Sequence, residues 1–157
     1  MAVILVTGMS GTGKSTVLDR LGRLGYRVVD TDYDGWTIPG AEPLWDEDRV
    51  DALITAHVSS GEPLFLAGTV RNQGRFRDRF TDVVLLTAPL PVLLDRVATR
   101  DTNDFGKDPA ERDRIVADTA AVEPLLRASA TVEIDTRAPL AEVVDRLAAL
   151  AARRAPR

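Results

Sequence analysis

The octapeptide Gly8-Met9-Ser10-Gly11-Thr12-Gly13-Lys14-Ser15 constrains this chain more than any other stretch. It follows a continuous apolar, β-branched run at residues 2–7 (AVILVT), as expected of a strand buried on both faces. It leads into a helical pattern from about Lys14 to Leu24, with Val17, Leu18 and Leu21 on one face and Gly25 marking the end. Strand, glycine loop and helix in that order make G-x-x-x-x-G-K-S a phosphate cradle rather than a loose turn. Glycines let the backbone curl until its N–H groups point inward, and the helix N-terminus adds the positive end of its dipole. The spacing therefore predicts that Gly8, Gly11, Thr12, Gly13, Lys14, Ser15 and Thr16 bind nucleotide phosphates. Lys14 reaches the β- and γ-phosphates, and the Ser15 hydroxyl is a Mg²⁺ ligand.

The rest of the chain repeats the alternation. A strand at 26–30 ends at Asp30, and an irregular stretch, 31–46, holds Gly35, Pro39, Gly40, Pro43 and both tryptophans. Residues 47–60 carry the helical period in Val50, Leu53, Ile54 and His57, where His57 reads as a half-buried structural side chain. Gly61-Glu62-Pro63 separates that helix from a third strand, 64–67. A fourth, 82–87, precedes a helix at about 90–100 with a core stripe of Leu90, Leu93, Leu94 and Val97. Asp108-Pro109-Ala110-Glu111 supplies an N-cap, a proline at the first helical position and the returning acid of a capping box, and Pro124 is expected to interrupt or restart that helix. A fifth strand, 131–135, leads to a last helix striped by Leu140, Val143, Val144, Leu147 and Leu150. Short buried strands alternating with helices imply right-handed crossovers and a parallel sheet covered on both faces, an α/β three-layer sandwich. At 157 residues and 45% hydrophobic content, a single domain over 1–157 is expected.

Composition narrows the partners. Twenty basic against 24 acidic residues give a net charge of −4, which offers nucleic acid no general attraction. The absence of cysteine excludes disulfides and any Cys-based metal site or nucleophile. The apolar run at 2–7 lacks a basic leader and no segment approaches membrane-span length, so a soluble, cytoplasmic protein is expected, without membrane or nucleic-acid partners.

The stretch "VVDTDYDGW" (28–36) releases three carboxylates at alternate positions straight off an apolar run. In a parallel sheet the C-terminal strand ends share one edge, where ligands bind. Asp30 thus emerges beside the phosphate loop, and extended residues two apart point the same way. The spacing divides two tasks: Asp30 holds a water on Mg²⁺ alongside Ser15, and Asp32, further out, orients and deprotonates an acceptor hydroxyl. A turn-and-cap role is the competing reading for these acids.

A loop ending in GKS, a strand running into Asp30-Thr31-Asp32 and a helix bearing Arg96-x-x-x-Arg100 resemble the nucleoside-monophosphate-kinase-like group of P-loop kinases, in particular shikimate kinase, gluconate kinase and the short archaeal-type adenylate kinases. The resemblance covers nearly the whole chain. It implies a P-loop NTPase fold with a five-stranded parallel sheet in the order 2-3-1-4-5, and ATP with Mg²⁺ as cofactors. It implies a metal-side Asp30, a substrate-side Asp32, Arg96 against the adenine, and Arg100 opening a short lid over the phosphates at about 101–108. By the same resemblance Thr136-Arg137 lies on the adenine side, and Arg71, after the third strand, is an anion clamp for an acceptor bound by segment 31–60. Lys14, Asp32 and Arg100 are then the catalytic set. Trp45-Asp46-Glu47-Asp48-Arg49 and "VLLDRVATR" look more like the short adenylate kinases, whose acceptor is a nucleotide. Two departures stand out: "FLAGT" and "VLLTA" end without a Walker-B acid, and the doubled glycines of the shikimate pocket are missing.

These residues imply an ATP-dependent phosphotransferase acting on a small-molecule hydroxyl or a nucleoside monophosphate, as a monomer or weak homodimer. A switch GTPase would need Asn-Lys-x-Asp, which is absent, and Asp32-Tyr33-Asp34-Gly35 matches D-x-x-G too soon after the loop. A slow regulatory ATPase with a protein partner is the alternative from another class.

Overall fold

The computed structural model describes residues 2–40, 42, 44–100 and 106–153. In chain order its elements are β1 (Val3–Thr7), α1 (Lys14–Arg23), β2 (Arg27–Asp30), β3 (Thr37–Ile38), β4 (Leu44–Trp45), α2 (Glu47–Ser60), β5 (Leu64–Ala67), a 3₁₀ helix (Gln73–Arg79), β6 (Asp82–Thr87), α3 (Leu90–Thr99), α4 (Pro109–Ser129), β7 (Val132–Asp135) and α5 (Leu140–Arg153). All five residues of β1 are buried, because the strand lies at the centre of a parallel sheet ordered β2-β5-β1-β6-β7. Counting only that sheet's strands, the order is 2-3-1-4-5, as expected. The antiparallel pair β3–β4, with Thr37 opposite Trp45 and Ile38 opposite Leu44, was not expected; it forms inside the irregular stretch 31–46.

Alternation along β1 sorts the core into layers. Ile4 and Val6 pack with Val17, Leu18 and Leu21 of α1 and Val143 and Leu147 of α5, while Val3 and Leu5 pack with Val50 and Ile54 of α2 and with Phe76 and Phe80. A third cluster joins Met9 and Leu85 to Leu93 of α3 and Leu126 of α4. Each such fully buried aliphatic side chain stabilises the fold by about 1.5–3 kcal/mol.

Two local expectations are modified. Pro124 does not interrupt α4, which is continuous through it. Proline removes one N–H and leaves the carbonyl four residues earlier without its helical donor, but Ala120 and Pro124 are both exposed, so water can take that place. Asp108 does cap α4 by accepting the Glu111 N–H at 2.8 Å, but the Glu111 carboxylate accepts from the N–H of Gly106, upstream of the cap.

Candidate active site

The loop between β1 and α1 is shaped by glycine: Gly11 and Gly13 take left-handed backbones, with φ of 88° and 95°. Gly13 caps α1 without a side chain, so the first amides of that helix remain open towards the loop. Lys14 folds back over the loop, donating to the carbonyls of Gly8 at 2.6 Å and Met9 at 3.2 Å. Burial of its ammonium lowers its pKa from 10.5 to about 8; the Asp32 and Asp30 carboxylates oppose that shift and Arg100 adds to it. The residue keeps some exposed surface, but the charged end is packed among protein atoms.

At the strand end Asp30 meets the phosphate loop and also closes an Asx turn onto Asp32, so features of both readings of these acids are present. Ser15 Oγ donates to Asp30 Oδ2 at 2.6 Å, and the Asp32 N–H donates to Asp30 Oδ1 at 3.2 Å. Asp30 therefore stands directly beside the loop serine. A hydroxyl and a carboxylate are the hard oxygen donors that Mg²⁺ takes, so this pair fits the ion. Among the described residues no three His, Cys, Asp or Glu side chains cluster as a metal cage, so phosphate and water would complete its coordination. The Asp32 carboxyl is shifted above the ordinary aspartate value, first by desolvation and then by Asp30, with Lys14 pulling the other way. Its rim is open to solvent, which limits that shift.

One cavity of about 290 Å³ gathers these groups: it is lined by Ser10, Gly11, Gly13, Lys14, Ser15, Thr16, Asp32, Tyr33, Arg96 and Arg100. A larger, shallower hollow of about 400 Å³ over α3 and α4, around Leu90, Leu94 and Arg112, includes no residue of the loop. We take the smaller one as the site because its lining is the chemistry.

Arg96 spans the site, donating to Gly11 O at 3.2 Å, to Thr136 Oγ1 at 2.8 Å and to Thr136 O at 2.9 Å. It ties the phosphate loop to the turn after β7. Arg100 lies one residue past α3 in extended backbone and faces the same cavity. Of the expected lid, 101–108, residues 101–105 lie outside the described residues.

Two expected site arginines stand elsewhere. Arg137 is clasped by Asp135 through contacts of 2.6–3.1 Å, and this pairing depresses the Asp135 pKa. Arg71 is exposed and ion-paired with Glu42. Neither lines the cavity. Of the two tryptophans, Trp45 belongs to the core: it is 1% exposed and donates from Nε1 to Thr31 Oγ1 at 2.9 Å. Trp36 is half-buried beneath the Arg49 guanidinium, 4.3 Å from the ring centroid. Tyr33 also lines the cavity without being among the expected site residues; its place between Asp32 and Asp34 is the signal that it shares their edge of the sheet.

Known proteins share this fold. Residues 4–117 match the family described as AAA domain. Solved structures of the same fold include a shikimate kinase from Bacteroides thetaiotaomicron (TM-score 0.65, 18% identity, 95% of this chain and 97% of that one). A sugar kinase from Janibacter sp. HTCC2649 gives a TM-score of 0.62 at 20% identity, covering 96% and 94%. A gluconokinase from Sinorhizobium meliloti 1021 gives 0.58 at 24%, covering 98% and 93%. The five-stranded parallel sheet and the glycine loop between β1 and α1 define an α/β P-loop domain. The chain belongs to the AAA domain family. It is also 33% identical over 141 residues to the nucleotide-binding protein GDI1189 of Gluconacetobacter diazotrophicus, covering 85% of this chain and spanning 37% of that protein's length. Among the described residues no helix is long and apolar enough to cross a membrane.

Proposed function

We propose that this chain is a Mg²⁺- and ATP-dependent phosphotransferase that moves the γ-phosphate to a small-molecule hydroxyl or a nucleoside monophosphate. The observation that carries the reading is that Asp32 opens into the same cavity as Lys14 and the loop amides. A phosphate cradle alone serves hydrolysis as well as transfer. A carboxyl with a raised pKa at its mouth is what a hydroxyl acceptor requires.

On this reading Lys14 exchanges the Gly8 and Met9 carbonyls for phosphate oxygens, and the amides at the start of α1 hold the β-phosphate. Ser15 and Asp30 would hold Mg²⁺, which would supply neutralisation of the charge that develops on the transferring phosphate. Where the acceptor is a hydroxyl, Asp32 aligns it and takes its proton as the new P–O bond forms and the bond to the departing ADP oxygen breaks; a monophosphate acceptor attacks through an oxygen that is already ionised. Arg100 adds positive charge beside Lys14, and Arg96 keeps loop and β7 turn together on the adenine side. Residues 31–60 form the acceptor side, with Arg71 available to an anion once released by Glu42. Exposed ion pairs of this kind contribute about 0–1 kcal/mol, so the release costs little.

The alternative is a slow ATPase working with a protein partner. The phosphate cradle would serve it equally, since hydrolysis needs the same loop and no acceptor. Incubating the protein with Mg·ATP and a mixed pool of metabolites and nucleoside monophosphates separates the two. Acceptor-stimulated ADP release is the expected result; ADP release that no fraction of the pool accelerates supports the ATPase.

A further inference from the structure

The strand next to β1 leaves the sheet without the acid that many phosphate-loop proteins place there, and a threonine occupies the spot. Val6 pairs with Ala67, so Gly68 and Thr69 exit alongside Thr7 and Gly8. Thr69 Oγ1 donates to Gly8 O at 2.6 Å and accepts the Gly8 N–H at 3.2 Å, closing both backbone groups of the residue that opens the phosphate loop. That same Gly8 carbonyl receives the Lys14 ammonium.

The hydroxyl is held from behind. Its single hydrogen is used on Gly8, so across the 3.1 Å contact with Thr7 the Thr7 hydroxyl must donate. Thr7 Oγ1 in turn accepts from Gln73 Nε2 at 3.2 Å, and Gln73 Oε1 accepts the Val70 N–H at 2.9 Å. Thr7 and Gln73 are buried, and the bonds run in one direction from the Val70 N–H to the Gly8 carbonyl. Gly68 does the complementary work. A Cβ there would meet Thr31 Oγ1 at 2.4 Å and Trp45 Nε1 at 3.1 Å, and Thr31 is the residue between the two site acids.

We propose that Thr69 is a positioning residue of the phosphate site: its hydroxyl, fixed by Thr7 and Gln73, sets the Gly8 peptide and with it the place from which Lys14 meets phosphate. Gly68 and Thr69 together hold the phosphate loop and the Asp30-Thr31-Asp32 turn at a fixed separation. The inference rests on the reading of the loop as a nucleotide site.

Isothermal titration of the full chain with Mg·ATP tests it, using Thr69→Val, which keeps the shape and loses the hydroxyl, and Thr69→Ser, which keeps the hydroxyl. Thr69→Val should bind roughly tenfold more weakly, the scale of a lost buried hydrogen bond, and Thr69→Ser should stay within about twofold of the wild type. Gln73→Met should weaken binding in the same direction by less, because it acts through Thr7. Wild-type affinity in Thr69→Val, or equal losses in the Val and Ser variants, overturns the proposal. Should Thr69→Val fail to fold, Gln73→Met decides, and unchanged affinity there overturns it. A wild-type protein that binds no Mg·ATP contradicts both this inference and the nucleotide reading; binding that is indifferent to Thr69 contradicts this one alone.

Discussion

The two halves of the cavity are built in different ways. The phosphate half is one contiguous segment, Gly8–Thr16, whose shape comes from glycine backbones and from a helix that begins inside it. The other half, at Asp32 and Tyr33, is supported from behind by pieces far apart in the chain, Thr31, Trp45 and the exit of β5, joined through the Thr31 hydroxyl, which donates to Ala67 O at 2.7 Å and accepts from Trp45. An outer rim of exposed contacts, Arg71 with Glu42 and Arg49 over Trp36, lies beyond the cavity lining. A contiguous site fails by losing chemistry, whereas an assembled site fails by losing its supports.

The largest effect expected lies in the first half. Lys14→Ala should lower Mg·ATP affinity by roughly 10²-fold, the scale of lost charge-assisted hydrogen bonds, without lowering the folding midpoint, since it removes a charge that folding desolvates. Calorimetry beside a denaturant titration checks both; a variant that still binds ATP normally removes the phosphate half from the account.

In the second half, Gly68→Ala should cost about 1–3 kcal/mol of stability, because the added methyl meets a buried hydroxyl that cannot swing away. Chemical denaturation at unchanged slope is the measurement. A harmless Gly68→Ala would show that the turn is not buttressed from β5.

Lys14 gives the comparison a pH dependence with two opposite signs. Its folded pKa of about 8 lies below its unfolded value of 10.5, so in that window the unfolded chain binds more protons and the stability of the nucleotide-free protein rises with pH. Mg·ATP affinity should fall over the same window as the ammonium charge is lost. Melting and binding curves between about pH 7 and 10 test this, and parallel trends would contradict it.

The smallest effect belongs to the rim. Arg71→Ala should change stability by less than about 1 kcal/mol, since both partners of its ion pair are mostly exposed. A loss as large as that of Gly68→Ala would erase the distinction between rim and support.

The same difference decided what could be read from residues alone. The phosphate loop was legible because its function needs particular residue types at fixed spacing, and the Ser15–Asp30 contact followed from one further rule, that parallel strand ends share an edge. The sheet order followed from resemblance to known kinases. Thr69 and Gln73 carry no such signal: their roles come from hydrogen bonds across 61 and 66 residues of chain. Arg71 and Arg137 carried the right chemistry for anion binding, but nearby carboxylates of Glu42 and Asp135 engage both, which spacing did not reveal.

The central claim is that Asp32 serves an acceptor, and the direct test is transfer of labelled γ-phosphate from Mg·ATP to the acceptor by the wild type and by Asp32→Asn. Labelled acceptor is expected with the wild type, with a fall of roughly 10²-fold or more in Asp32→Asn, the usual scale for a positioned base, and nearly unchanged ATP affinity. Equal transfer by the two proteins, or label released by both only as inorganic phosphate, would contradict it.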